Sequence, residues 1–173
     1  RATGRGGAEL DDGGPAAAFR TPMPTVAELA ATATRVAVLE ALNDNENVGA
    51  ISRAARAFGI DGIVISPTCT DPYYRRTVRV SMGEVLLMPI ARANANDWPG
   101  ALDTLHEAGF ETWAMTPADD AVDLWSTDIP ERLAVVLGAE GPGLERSTMQ
   151  RATRRLPRPT RSDVALPNRR HPP

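Results

Sequence analysis

LEALNDNENVGAISRAARAFGIDGIVISP, residues 39–67, decides the fold. It is entered through the apolar run Val36-Ala37-Val38-Leu39, and it ends in a second run, Gly62-Ile63-Val64-Ile65. Short runs without polar alternation read as strands buried on both faces. Between them lie a polar loop and a stretch with Val48, Ile51, Ala55 and Phe58 at i, i+3, i+7 and i+10, the stripe of one helix face. Gly59 closes that helix. Strand, helix, strand is the crossover that two parallel strands require.

The same alternation continues outward. Thr25 to Ala33 reads as a short helix capped by Thr25, with Glu28 three residues on. Asp71-Pro72 opens a helix through about Val80, and Val85 to Ile90 reads as a third strand. Trp98 to Ala108 is helical and stops at Gly109. Thr112 to Met115 and Leu133 to Leu137 are further strands, and Leu144 to Thr153 is a last helix. The expected fold is α/β, with a mostly parallel sheet flanked by helices. Residues 1–24 read as a flexible or linker segment, 25–155 as the domain, and 156–173 as an atypical tail. The closing RRLPRPTRSDVALPNRRHPP carries five Pro and six Arg in 20 residues, too few apolar groups for much core.

Composition narrows the function. The chain's 173 residues suit one domain. Nineteen basic residues, all Arg, against 22 acidic ones give a net charge of −3. That argues against a surface coated in positive charge and leaves room for a local nucleic-acid patch. One cysteine and two histidines argue against a disulfide framework and a structural zinc site, so no metal is expected. No apolar run is long enough to span a membrane and no secretory leader is evident, so a cytoplasmic setting is expected.

Three segments carry chemistry. In the first, Asn47 and Gly49 sit where a buried strand hands over to a helix, the end at which parallel sheets bind ligands. Arg53 follows off the apolar stripe, where a guanidinium could hold a phosphate. The plainer reading makes Asn47 a cap and Arg53 a solvated residue. The second is LAVVLGAEGPGLER, residues 133–146, a strand running into Gly138-Ala139-Glu140-Gly141-Pro142-Gly143 and then a helix start with free N–H groups. It is either a ligand loop or simply a tight turn. Pro142 interrupts it, so it resembles a dinucleotide fingerprint only loosely. In the third, Arg75, Arg76 and Arg79 cluster beside Tyr73 and Tyr74, a pattern that suits an RNA strand or a solvated helix face.

Together, in this order, the segments resemble the SpoU family of RNA 2'-O-ribose methyltransferases, of the SPOUT class. Asn47, Gly49 and Arg53 match its first motif; Gly138, Glu140, Gly141 and Gly143 match its second. Asp71 through Gly83 resembles the intervening stretch. The resemblance spans about residues 25–153. It implies a C-terminal trefoil knot, S-adenosylmethionine as cofactor, a homodimer, and methylation of a ribose 2'-hydroxyl in tRNA or rRNA. It assigns catalysis to Arg53 with Asn47 and Glu140, cofactor contacts to Leu137, Gly138 and Gly143, and RNA contacts to Arg75, Arg76 and Arg79. The family's third motif, an Ile-Pro-Met strand followed by Ser-Leu-Asn-Val and a long helix, is not matched. Leu156 to Pro159 partly stands in for that strand, which makes Leu156 a further cofactor contact. The Pro/Arg bias beyond it is what GC-rich DNA gives when read out of frame. Two other readings stand beside this one: a non-catalytic RNA-binding or dimerisation module on the same scaffold, and a nicotinamide oxidoreductase using Gly138 to Gly143 as a phosphate loop.

Overall fold

The structure, a computed structural model, describes residues 22–116 and 127–157. The expected linker 1–24 and tail 156–173 lie mostly outside these residues, as does the segment in which a C-terminal knot would close.

The chain enters through α1 (Val26–Thr32), held by a reciprocal capping box between Thr25 and Glu28. It continues through β1 (Arg35–Glu40), α2 (Asn45–Ala57) and β2 (Gly62–Ile65). Next come α3 (Arg75–Val80), a 3-10 turn (Glu84–Leu87), β3 (Ile90–Arg92) and α4 (Ala101–Glu107). β4 (Glu111–Thr116), β5 (Leu133–Gly138), α5 (Arg146–Arg151) and β6 (Arg154–Pro157) complete it. Among the described residues six strands form one sheet in the order β3-β2-β1-β5-β4-β6, each neighbouring pair parallel.

Side chains alternate across the sheet, and each face is covered. Val36, Val38, Val64 and Val136 turn to one side, under Leu29 of α1 and Leu102 and Leu105 of α4. Ala37, Leu39, Ile63 and Ile65 turn to the other, under Val48 and Ala55 of α2 and Val85 of the 3-10 turn. This double burial is why the strands read as unbroken apolar runs. On the second face, beyond β5, Trp113, Leu133 and Leu156 form a smaller cluster.

Several boundaries differ from the sequence reading. The expected strand over Val85–Ile90 is a 3-10 turn followed by a strand that begins only at Ile90. Pro89 has no N–H to give a ladder, although its carbonyl accepts from Ile63 at 2.9 Å. The helix expected from Asp71 begins at Arg75, because the Asp71 carboxylate accepts the N–H of Tyr73 at 2.9 Å and stabilises a turn instead. Phe58, read as part of the apolar stripe, is the C-cap of α2 and is 85% exposed. Asp44 rather than Asn47 caps α2, accepting the N–H of Glu46 at 2.7 Å. β6 crosses the boundary drawn at residue 155, carrying Leu156 into the core opposite Met115.

Candidate active site

The strand order reverses between β1 and β5. Connections from β1 run outward through β2 to β3 on one side, while β4, β5 and β6 occupy the other. In an open parallel sheet a crevice forms at such a reversal, at the carboxyl ends of the strands. The two loops leaving those ends are the polar segment after β1 and the glycine turn after β5. They enclose a cleft of about 250 Å³ lined by Leu42, Asn43, Asp44, Asn47, Ala139 and Glu140. Asn47 and Glu140, remote in sequence, therefore share one cleft.

Arg53 lies further along α2 and is exposed. It does not line the cleft. Asn47 is half-buried in the first turn of the helix, and Glu140 is exposed at the tip of the opposing turn.

The glycine turn has a definite shape. Gly143 donates its N–H to the carbonyl of Ala139 at 3.0 Å, so the loop folds back on itself. A side chain at Gly138 would lie 2.3 Å from the carbonyl carbon of Gly143 and 2.5 Å from the nitrogen of Leu144, so only glycine fits. Gly141 and Gly143 have φ of 94° and 73°, with open space where a Cβ would stand. That bare backbone, beside the half-buried Leu137, fits a ligand that makes main-chain contacts. Leu156 is separated from the turn by β4 and is fully buried among Trp113 and Leu133, so here it is core rather than a lining residue.

Gly49 is buried on α2. Its missing side chain lets α2 approach α3: a Cβ would meet the carbonyl oxygen of Thr77 at 2.8 Å. It is a packing glycine and bares no backbone to a ligand. Asn45 strengthens the same junction, accepting from Thr70 at 2.8 Å and Thr77 at 3.1 Å. Arg76 pairs with Glu46 of α2, and that hydrogen bond and charge raise the guanidinium's already high pKa. Arg75, Arg76 and Arg79 are all exposed, so α3 presents its cations to solvent while being clamped to the helix that carries Asn47 and Arg53.

Sequence reasoning missed Glu40, which closes β1 and is 1% exposed. Its Oε1 accepts from Thr148 Oγ1 at 2.6 Å and Trp98 Nε1 at 3.0 Å, and its Oε2 accepts the backbone N–H of Glu145 at 3.1 Å. One of the N–H groups expected to be free at the start of α5 is thus already used. An acidic residue ending an apolar run was the available signal, but its partners are distant in sequence.

Among the described residues no group of acidic, His or Cys side chains could hold a metal ion, and no helix is long and apolar enough to cross a membrane.

A parallel sheet with a polar loop and a glycine turn meeting at the strand reversal defines an α/β ligand-binding domain. Comparison with known proteins carries this to a family. Residues 34–166 match the model of the SpoU rRNA Methylase family, and the chain belongs to it. An uncharacterized tRNA/rRNA methyltransferase of Mycobacterium tuberculosis is 48% identical over 147 residues, covering 83% of this chain and 50% of that protein. The chain spans about half the length of the curated relatives it matches. Among solved structures, the AdoMet-bound rRNA methyltransferase from Sinorhizobium meliloti superimposes with a TM-score of 0.74 at 28% identity, covering 87% of this chain and 57% of that one. A solved RNA 2'-O ribose methyltransferase has a TM-score of 0.65 at 21% identity, covering 87% and 54%, and supports the fold alone.

Proposed function

We propose that this domain transfers a methyl group from S-adenosylmethionine to a ribose 2'-hydroxyl of tRNA or rRNA. The observation that carries the reading is the shared cleft of Asn47 and Glu140 at the strand reversal. Family membership and the AdoMet-bound relative support the cofactor. The backbone of Leu137, Gly138 and Gly143 would hold it, on the open side of the glycine turn. When bound, the cofactor supplies a methyl group on a sulfonium sulfur.

A ribose hydroxyl is a poor nucleophile while protonated. Asn47 and Glu140 orient it in the cleft. The Arg53 guanidinium favours the developing alkoxide by charge, and an RNA phosphate beside it takes the proton. Arg75, Arg76 and Arg79 hold the RNA backbone. The working unit is a homodimer in the cytoplasm.

The test is methyl transfer to bulk tRNA and bulk rRNA, followed by digestion to nucleosides. Labelled 2'-O-methylnucleosides in one pool are expected. Label confined to bases would overturn the ribose assignment, and cofactor binding without transfer to either RNA would favour a non-catalytic binding module.

A further inference from the structure

We propose that Glu40 is a positioning residue that sets the glycine turn for the cofactor; this rests on the methyl-transfer reading above. The turn from Gly138 to Glu145 has two feet, and Glu40 holds both. Its backbone stands in register with Gly138 across the β1–β5 ladder. Its carboxylate accepts the N–H of Glu145, where the turn enters α5. The other oxygen ties in Thr148 of α5 and the indole of Trp98, so α5 and the loop before α4 are fixed to the same point.

Chemistry makes this an unusual choice for a core. A carboxylate is expensive to bury and is tolerated only when its acceptors are satisfied. An apolar residue at position 40 would fill the space but could not fix the spacing between the strand end and α5. A carboxylate gives two acceptor oxygens in fixed geometry, and the three donors come from elements that otherwise only pack. Glu40 is screened from the cleft and touches neither reacting group. Its effect passes through the main chain of Gly138 to Leu144, the backbone on which the cofactor would rest.

The experiment is a calorimetric titration of the full chain with S-adenosylmethionine, comparing wild type, Glu40→Gln and Thr148→Val. The Gln variant keeps the shape but turns an N–H toward one of the donors. The Val variant deletes one donor and leaves the rest in place, and it serves if Glu40→Gln does not fold. We expect Glu40→Gln to weaken cofactor binding at least about tenfold, the scale of a lost charge-assisted hydrogen bond. Thr148→Val should weaken it by a smaller factor. In steady-state assays the KM for the cofactor should rise while the KM for RNA stays put, a split that general loosening of the fold would not produce. Wild-type affinity in both variants, or parallel loss of cofactor and RNA binding, would overturn Glu40's role. Failure of the wild-type chain to bind the cofactor would instead remove the methyl-transfer reading, and with it the role built on that reading.

Discussion

A methyl group added at Gly49 would stand 2.8 Å from the carbonyl oxygen of Thr77 and 2.9 Å from the Cβ of Val80. The glycine of the first motif is therefore where α2 and α3 touch. Alanine is the better helix former by roughly 1 kcal/mol. Overpacking a tight contact costs about 1–3 kcal/mol, and here the obstacle is backbone, which cannot rotate away. Gly49→Ala should lose up to about 2 kcal/mol net, read as a lower urea midpoint with an unchanged slope. A gain in stability would mean that the helices part more easily than the contact implies.

Asp61 staples the start of β1 to the start of β2. Burial pushes its carboxyl upward, but the N–H groups of Thr34 and Arg35, the Thr34 hydroxyl and the Arg35 charge outweigh this, and the pKa is lowered. A lowered folded pKa means that the stabilisation is complete above the unfolded value, near ~3.9, and is lost as pH falls through the folded value. The stability gap between wild type and Asp61→Asn should be constant from neutral pH to about 5 and close in stronger acid. Thermal melts across that range would check it; a gap that widens in acid would contradict the assignment.

The legible parts of the fold were those in which one physical rule acted alone. β1 and β2 announce themselves because both faces are buried. Val85 to Met88 misled because an apolar run is silent on its period: Val85 and Met88 are buried at a spacing of three, while Leu86 and Leu87 are exposed. In the site, Asn47 and Glu140 could be picked out because each lies just beyond a strand's carboxyl end, Asn47 in the first turn of α2 and Glu140 in the glycine turn. That they share a cleft depends on β1 and β5 being neighbours, which the sequence order does not state. Glu40 was illegible for the same reason: residues 98, 145 and 148 reach it only after the sheet has formed.

Arg53 stands outside the cleft that Asn47 and Glu140 line, which separates its role from theirs. If it acts on the hydroxyl by charge, Arg53→Ala should cut kcat by about 100-fold or more while leaving cofactor affinity unchanged. Asn47→Ala should raise the KM for RNA as well, because it would also remove a contact that orients the ribose. Single-turnover transfer with saturating cofactor separates the two. Undiminished transfer by Arg53→Ala would remove it from the catalytic set.

Among the cations of α3, Arg76 is distinguished by its ion pair with Glu46. A cation bound to an RNA phosphate releases counterions, and each contact adds about 0.7 to the salt slope on single strands. Arg79→Ala should therefore weaken RNA binding and lower the slope of log K against log salt by about 0.7. Arg76→Ala should do less, because its charge is already partly neutralised. Glu46→Ala should tighten binding by freeing Arg76, despite losing an exposed ion pair whose own stabilisation is no more than about 1 kcal/mol. Filter binding of bulk tRNA over a salt series measures all three. Equal slopes for wild type and Arg79→Ala would move the RNA path off this helix, and weaker binding by Glu46→Ala would mean that the pair holds Arg76 in its RNA-binding pose rather than competing for it.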